Sequence, residues 1–123
     1  MSKPTILLYA PAPTPWLSKL KALSVMMGLR LLPVGEAGLD RPLLSLLEDT
    51  PAGERRPGGP LPESVMVFCH LTAPHLDRLL PELRKIGARG CLKAVLTPTN
   101  KTWTLRQLYA ELCRERAEMD GIH

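Results

Sequence analysis

The chain has 123 residues, room for one domain and little more. Hydrophobic residues make up 45% and Leu fills 24 positions, which excludes disorder throughout, and no apolar run approaches the roughly 18–20 residues of a membrane span. Lys and Arg number 16 against 12 Asp and Glu, but the cations alternate with acids, as in Arg114-Glu115-Arg116, and Phe, Trp and Tyr are scarce; both facts argue against a nucleic-acid surface.

Ile6-Leu7-Leu8-Tyr9, ended by Pro11, predicts a first strand buried on both faces. It is too short for a signal-peptide core, so the expected compartment is the cytoplasm. Thr14 as N-cap and Pro15 at the first helical position open a helix whose stripe is Trp16, Leu20, Leu23 and Met27, stopped by Gly28. Leu31 to Val34 predict a second strand, placed at a sheet edge by Pro33. A short helix follows from Arg41 to Glu48. Residues 50–62 read TPAGERRPGGPLP, with seven Gly or Pro in thirteen positions, and predict a flexible surface loop inside a single domain spanning 1–123.

Val65-Met66-Val67-Phe68 predicts a central third strand. Thr72 caps a helix that turns Leu76, Leu79, Leu80 and Leu83 inward, with Pro81 expected to kink or divide it and Gly87 to end it. Leu92 to Leu96 form a fourth strand, assigned to the other edge by Lys93. Thr104 and Gln107 make a capping box for the last helix, with Trp103 placed to staple onto Leu108 and a stripe of Leu105, Leu108, Tyr109 and Leu112.

The alternation predicts an α/β fold: one three-layer domain with a four-stranded parallel sheet in the order 2-1-3-4 and helices on both faces. A ferredoxin-like α+β sheet needs antiparallel pairs, and strands one and three lack the polar–apolar alternation usual there. In a parallel sheet ligands bind beyond the carboxyl ends of the strands, where the order reverses. That rule gathers Ala10–Thr14, Cys69–Thr72 and Thr97–Thr102 on one rim.

The candidate ligand-binding residues are therefore Thr14, His70, Thr72, Thr97, Thr99, Asn100 and Lys101. Hydroxyls, an amide and a cation ahead of a helix N-terminus suit a phosphate or carboxylate; the competing reading is that Thr and Asn merely bond the local backbone. Cys69, Cys91 and Cys113 form no CxxC pair and, with the first two at opposite ends of parallel strands, predict no zinc site. There is no GxGxxG after strand one, no acidic pair there and no Asp after strand three, which excludes dinucleotide binding by that device and aspartyl phosphorelay. No cofactor is expected.

The stretch from Leu92 to Leu105, LKAVLTPTNKTWTL, resembles the signature of a bacterial family of small proteins, domain of unknown function 3783. The resemblance covers about 65–116 and implies a bacterial cytosolic protein, with no activity attached. Together these readings predict a non-enzymatic binding or regulatory module that contacts a partner protein or a small anionic ligand through 97–102. The alternatives are an enzyme with His70 as acid/base and Asn100 and Lys101 stabilising an anion, and a structural homodimer using the Pro33 edge or an exposed Leu face.

Overall fold

The structure, a computed structural model, describes residues 3–48, 59–88 and 91–120. Two compact units emerge: Met1–Pro33 with Pro62–Leu96, and Val34–Leu61 with Thr97–His123.

The first unit holds the sheet. Strands β1 (Thr5–Tyr9), β2 (Arg30–Pro33), β3 (Val65–Cys69) and β4 (Leu92–Val95) lie in the order β2-β1-β3-β4, as Pro33 and Lys93 predict. The strand directions do not follow the prediction. β1 runs parallel to β2 and β3 parallel to β4, but β1 and β3 are antiparallel, with Thr5 opposite Cys69, Leu7 opposite Val67 and Tyr9 opposite Val65. The sheet is mixed. The missing alternation misled because every residue of β1 and β3 is buried. Alternation reports which faces are wet, and says nothing of direction when neither is.

The reversal of β3 also decides where the helices go. A right-handed β-α-β crossover that steps from β1 out to β2 puts its helix on one face. The same crossover from an antiparallel β3 to β4 steps the other way and lands on that face again. Accordingly α1 (Leu17–Met26) and α3 (Ala73–Lys85) share one cluster, in which Trp16, Leu20, Leu23, Leu79 and Leu83 meet Ile6, Leu8, Met66 and Phe68. Within this unit the expectation of helices on both faces is therefore corrected. The alternate residues Thr5, Leu7, Val65 and Val67 are buried as well.

Local signals mostly hold. Gly28 and Gly87 end α1 and α3 at φ +70° and +82°, a region other residues enter only with strain. Thr72 Oγ1 accepts from the His75 N–H at 3.3 Å. Pro81 does not divide α3: it lies on the exposed side, and the carbonyl it deprives of a donor is that of exposed Asp77, which water can reach. α1 starts later than predicted. Its N-cap is Trp16 without a side-chain bond, because Thr14-Pro15-Trp16 is spent as a turn in which Leu17 N–H reaches the Thr14 carbonyl at 3.3 Å.

The second unit holds a 3-10 turn (Glu36–Asp40), α2 (Leu43–Leu47) and α4 (Leu105–Asp120). The predicted helix from Arg41 is thus shorter, and the turn before it is new. A Cβ at Gly38 would stand 2.9 Å from Val34 Cγ1 and 3.2 Å from Leu46 Cδ2, so any larger residue must displace the Val34 side chain. Arg106 donates to Asp40 Oδ1 at 2.8 Å, to Oδ2 at 3.3 Å and to the Gly59 carbonyl at 2.7 Å. Of the Gly/Pro-rich loop, 50–58 lies outside the described residues; its tail is held, with Leu61 buried and Gly59 bonded to Arg106.

Candidate functional site

The seven predicted residues do not gather on one rim. Within the first unit, Thr14 follows β1 at the end of the sheet where β3 begins, because Tyr9 pairs with Val65. His70 and Thr72 follow β3 at the opposite end, where Cys69 pairs with Thr5. Antiparallel pairing separates them, and a rim built on all seven fails. Thr14 Oγ1 is buried with no hydrogen-bond partner among the described residues. Thr72 is occupied as a helix cap, and His70 is exposed at φ +62°, in the left-handed region.

The other four lie in the second unit, in a turn that bonds to itself. Asn100 Oδ1 accepts from the Thr97 N–H at 2.8 Å, and Thr97 Oγ1 accepts from the Asn100 N–H at 3.1 Å. Lys101 N–H reaches the Thr97 carbonyl at 3.0 Å and Trp103 N–H the Asn100 carbonyl at 2.9 Å. Asn100 is 8% exposed, and burying an amide is tolerable because these bonds replace water. The carbonyls of Lys101 and Trp103 accept the first N–H groups of α2, from Leu44 at 3.0 Å and Leu43 at 2.9 Å. A second reciprocal pair follows at once: Thr104 N–H to Gln107 Oε1 at 2.8 Å and Gln107 N–H to Thr104 Oγ1 at 3.1 Å.

The segment TPTNKTWT therefore reads as two consecutive capping devices that satisfy orphan backbone groups and seat two helices. Its Thr97 and Asn100 serve the backbone, as the competing reading of the sequence had it. Thr99 and Lys101 remain exposed on the outside of the turn. Trp103 is half-buried beside Gln107 and Glu111, with which it lines a cleft of about 190 Å3. Arg114, bonded to Glu111, holds that carboxyl below its ordinary range.

The cysteines carry no site. Burial pushes the Cys69 thiol up to about 12 against the pull of Arg30, and the Cys91 thiol to about 11 against that of Lys93. Such thiols stay protonated and unreactive at neutral pH. Among the described residues no three His, Cys, Asp or Glu side chains converge on a metal position, and no helix is long and apolar enough to cross a membrane.

Three features escaped the sequence. His75 is half-buried, and its Nε2 donates to the Met27 carbonyl at 3.1 Å, tying α3 to the end of α1. A cleft of about 380 Å3 between these helices is lined by Leu23, Met26, Met27, Arg78, Pro81 and Glu82. Beside it Val25 and Met26 are 82% and 75% exposed. The third is a matched pair of clefts flanking the sheet. One, of about 370 Å3, includes Leu8, Leu17, Lys21, Leu31 and Pro33; the other, of about 180 Å3, is lined by Phe68, Leu76, Leu80, Lys93, Ala94 and Val95. The Lys93 ammonium of the second is bonded to the carbonyls of Cys91 at 3.2 Å and Ala88 at 3.4 Å.

These features define a small α/β protein with a mixed four-stranded sheet and a self-capped turn leading into its last helix. Residues 64–119, from just before β3 through most of α4, match the family model described as Domain of unknown function (DUF3783). No match to the chain was found among the curated proteins or among the solved structures.

Proposed function

We propose that the protein is a non-enzymatic cytoplasmic binding module, a single domain that engages the anionic group of a partner protein or of a small ligand through Lys101 and Thr99. The observation that carries this reading is the reciprocal Thr97–Asn100 bonding. It fixes the turn before any ligand arrives, so little ordering entropy opposes binding, and it leaves an ammonium and a hydroxyl facing outward. A carboxylate or phosphate is the chemistry these groups recognise. Asn100 supports the turn rather than the ligand. No observation favours catalysis by His70 with Asn100, since the amide oxygen of Asn100 is committed to the Thr97 N–H.

The test is a titration of the full chain with inorganic phosphate and, separately, with an Asp/Glu-rich peptide, followed by thermal unfolding and by amide chemical shifts. The expected result is saturable shifts confined to 97–103, abolished by Lys101→Glu and retained in His70→Ala. No shift with either probe at millimolar concentration contradicts the reading.

A further inference from the structure

The first unit is built twice from one plan. β1-α1-β2 and β3-α3-β4 are both parallel crossovers on the same face, joined back to back through antiparallel β1 and β3. A half-turn about the sheet normal at the Leu7–Val67 pair exchanges the two, and the correspondence holds residue by residue within the strands and at the helix ends. Leu7 pairs with Leu32 as Val67 pairs with Ala94. Arg30 N–H bonds to the Pro4 carbonyl and Leu92 N–H to that of Ser64, both at 2.9 Å. The helix ends repeat in detail: Gly28 N–H to Val25 carbonyl matches Gly87 to Arg84, and Leu29 N–H to Ser24 carbonyl matches Ala88 to Leu83. Leu20 and Leu79, both fully buried, occupy the same place. The two edge clefts are the same cleft, with Leu8, Leu17, Lys21, Leu31 and Pro33 answering to Phe68, Leu76, Leu80, Lys93 and Val95.

Only the second member lies in the matched stretch 64–119. On its own that half would end at β3, a fully apolar strand with one side unpaired, which is the most adhesive edge a sheet can offer. We propose that the β1-facing edge of β3 is a self-pairing surface whose natural complement is a second copy of the same β-α-β motif, and that residues 3–33 serve as that copy within the chain. The partner of the uncovered edge is thus a second copy of this protein, its β3 antiparallel to the first and centred on Val67. The inference rests on the sheet alone and stands or falls apart from the Lys101 reading.

The test uses the full chain with Leu7→Pro, which removes a backbone donor and a core side chain at the centre of β1. Cys69, Cys91 and Cys113 are replaced by Ser and Val67→Cys is added as a reporter. Two peptides are supplied in trans: residues 3–11, and residues 63–71 with Cys69→Ser. The expected result under reducing conditions is a doubled mass in sedimentation, reversed to a single-chain mass by either peptide, and, on oxidation with oxidised glutathione in the absence of peptide, a disulfide between the two Val67→Cys positions. The chain carrying the same cysteine changes but retaining Leu7 stays uncrosslinked. A variant that remains a single chain and binds only the 3–11 peptide, or neither, overturns the proposal, as does a dimer that does not crosslink at Val67→Cys.

Discussion

The two β-α-β halves of the sheet share a backbone and differ in nearly everything placed on it. In the second, Thr72 caps α3, Arg84 and Lys85 occupy its last turn where cations suit the helix dipole, and Lys93 marks the edge strand. In the first, α1 has no side-chain cap and no basic last turn, its edge strand carries Pro33, and Val25 and Met26 stand in solvent. Each edge resists a further strand by a different device, a missing donor in one and a charge in the other. Common to both are a left-handed glycine at the helix end, a fully buried leucine at the same place in each helix (Leu20 and Leu79) and the strand register. Few positions hold the plan, and the rest diverge.

The comparison breaks most visibly at the shared leucines. Leu20→Ala and Leu79→Ala each remove a fully buried side chain from one cluster, and each is expected to lower stability by about 2–5 kcal/mol in urea unfolding. A loss at one site below about 1 kcal/mol with a large loss at the other denies their equivalence.

The next effect belongs to the second half alone, which holds Cys69 and Cys91 where the first has no cysteine. Burial raises their folded-state pKa values to about 12 and about 11 from the 9.0 of a free thiol. Both thiols therefore favour folding fully below pH 9, and the contribution is lost as pH rises through 9 toward those values, on the order of 2 kcal/mol each by pH 10.5. Replacing both with Ala flattens the fall in stability between pH 9 and 10.5; an unchanged slope refutes the assignment.

The glycines come third. Neither has an atom within 4 Å of an added Cβ, so Gly28→Ala and Gly87→Ala cost only the left-handed backbone, about 1 kcal/mol each and alike. The smallest effect sharpens the asymmetry. Thr72→Ala removes a helix cap and costs about 1 kcal/mol, whereas Thr14→Ala changes stability by less than about 0.5 kcal/mol or raises it, since the Thr14 hydroxyl is buried without a partner among the described residues. A larger loss at Thr14 than at Thr72 reverses the assignment of caps.

What the sequence disclosed was local. The strands, the glycine stops, the Thr72 cap and the Thr104–Gln107 box depend on neighbours a few positions away, and they stand where the residues put them. The order 2-1-3-4 was legible too, because Pro33 and Lys93 suit an edge and nothing else. Strand direction was not. It depends on how the chain travels from β2 to β3, and a strand buried on both faces carries the same apolar residues whichever way it runs. The predicted rim inherited that error and lost Thr14 to the far end of the sheet. The turn at 97–102 was found, but Thr97 and Asn100 proved to serve the backbone. The internal repeat left one faint trace, Gly28-Leu29 against Gly87-Ala88, too short to notice without the backbone that explains it.

Backbone proton contacts between β1 and β3, read from nuclear Overhauser spectra of the full chain, decide the strand direction on which the repeat depends. Antiparallel pairing gives cross-strand contacts of Thr5 with Cys69 and of Tyr9 with Val65. Contacts of Thr5 with Val65 and of Tyr9 with Cys69 instead would make the strands parallel and remove the half-turn that relates the two motifs.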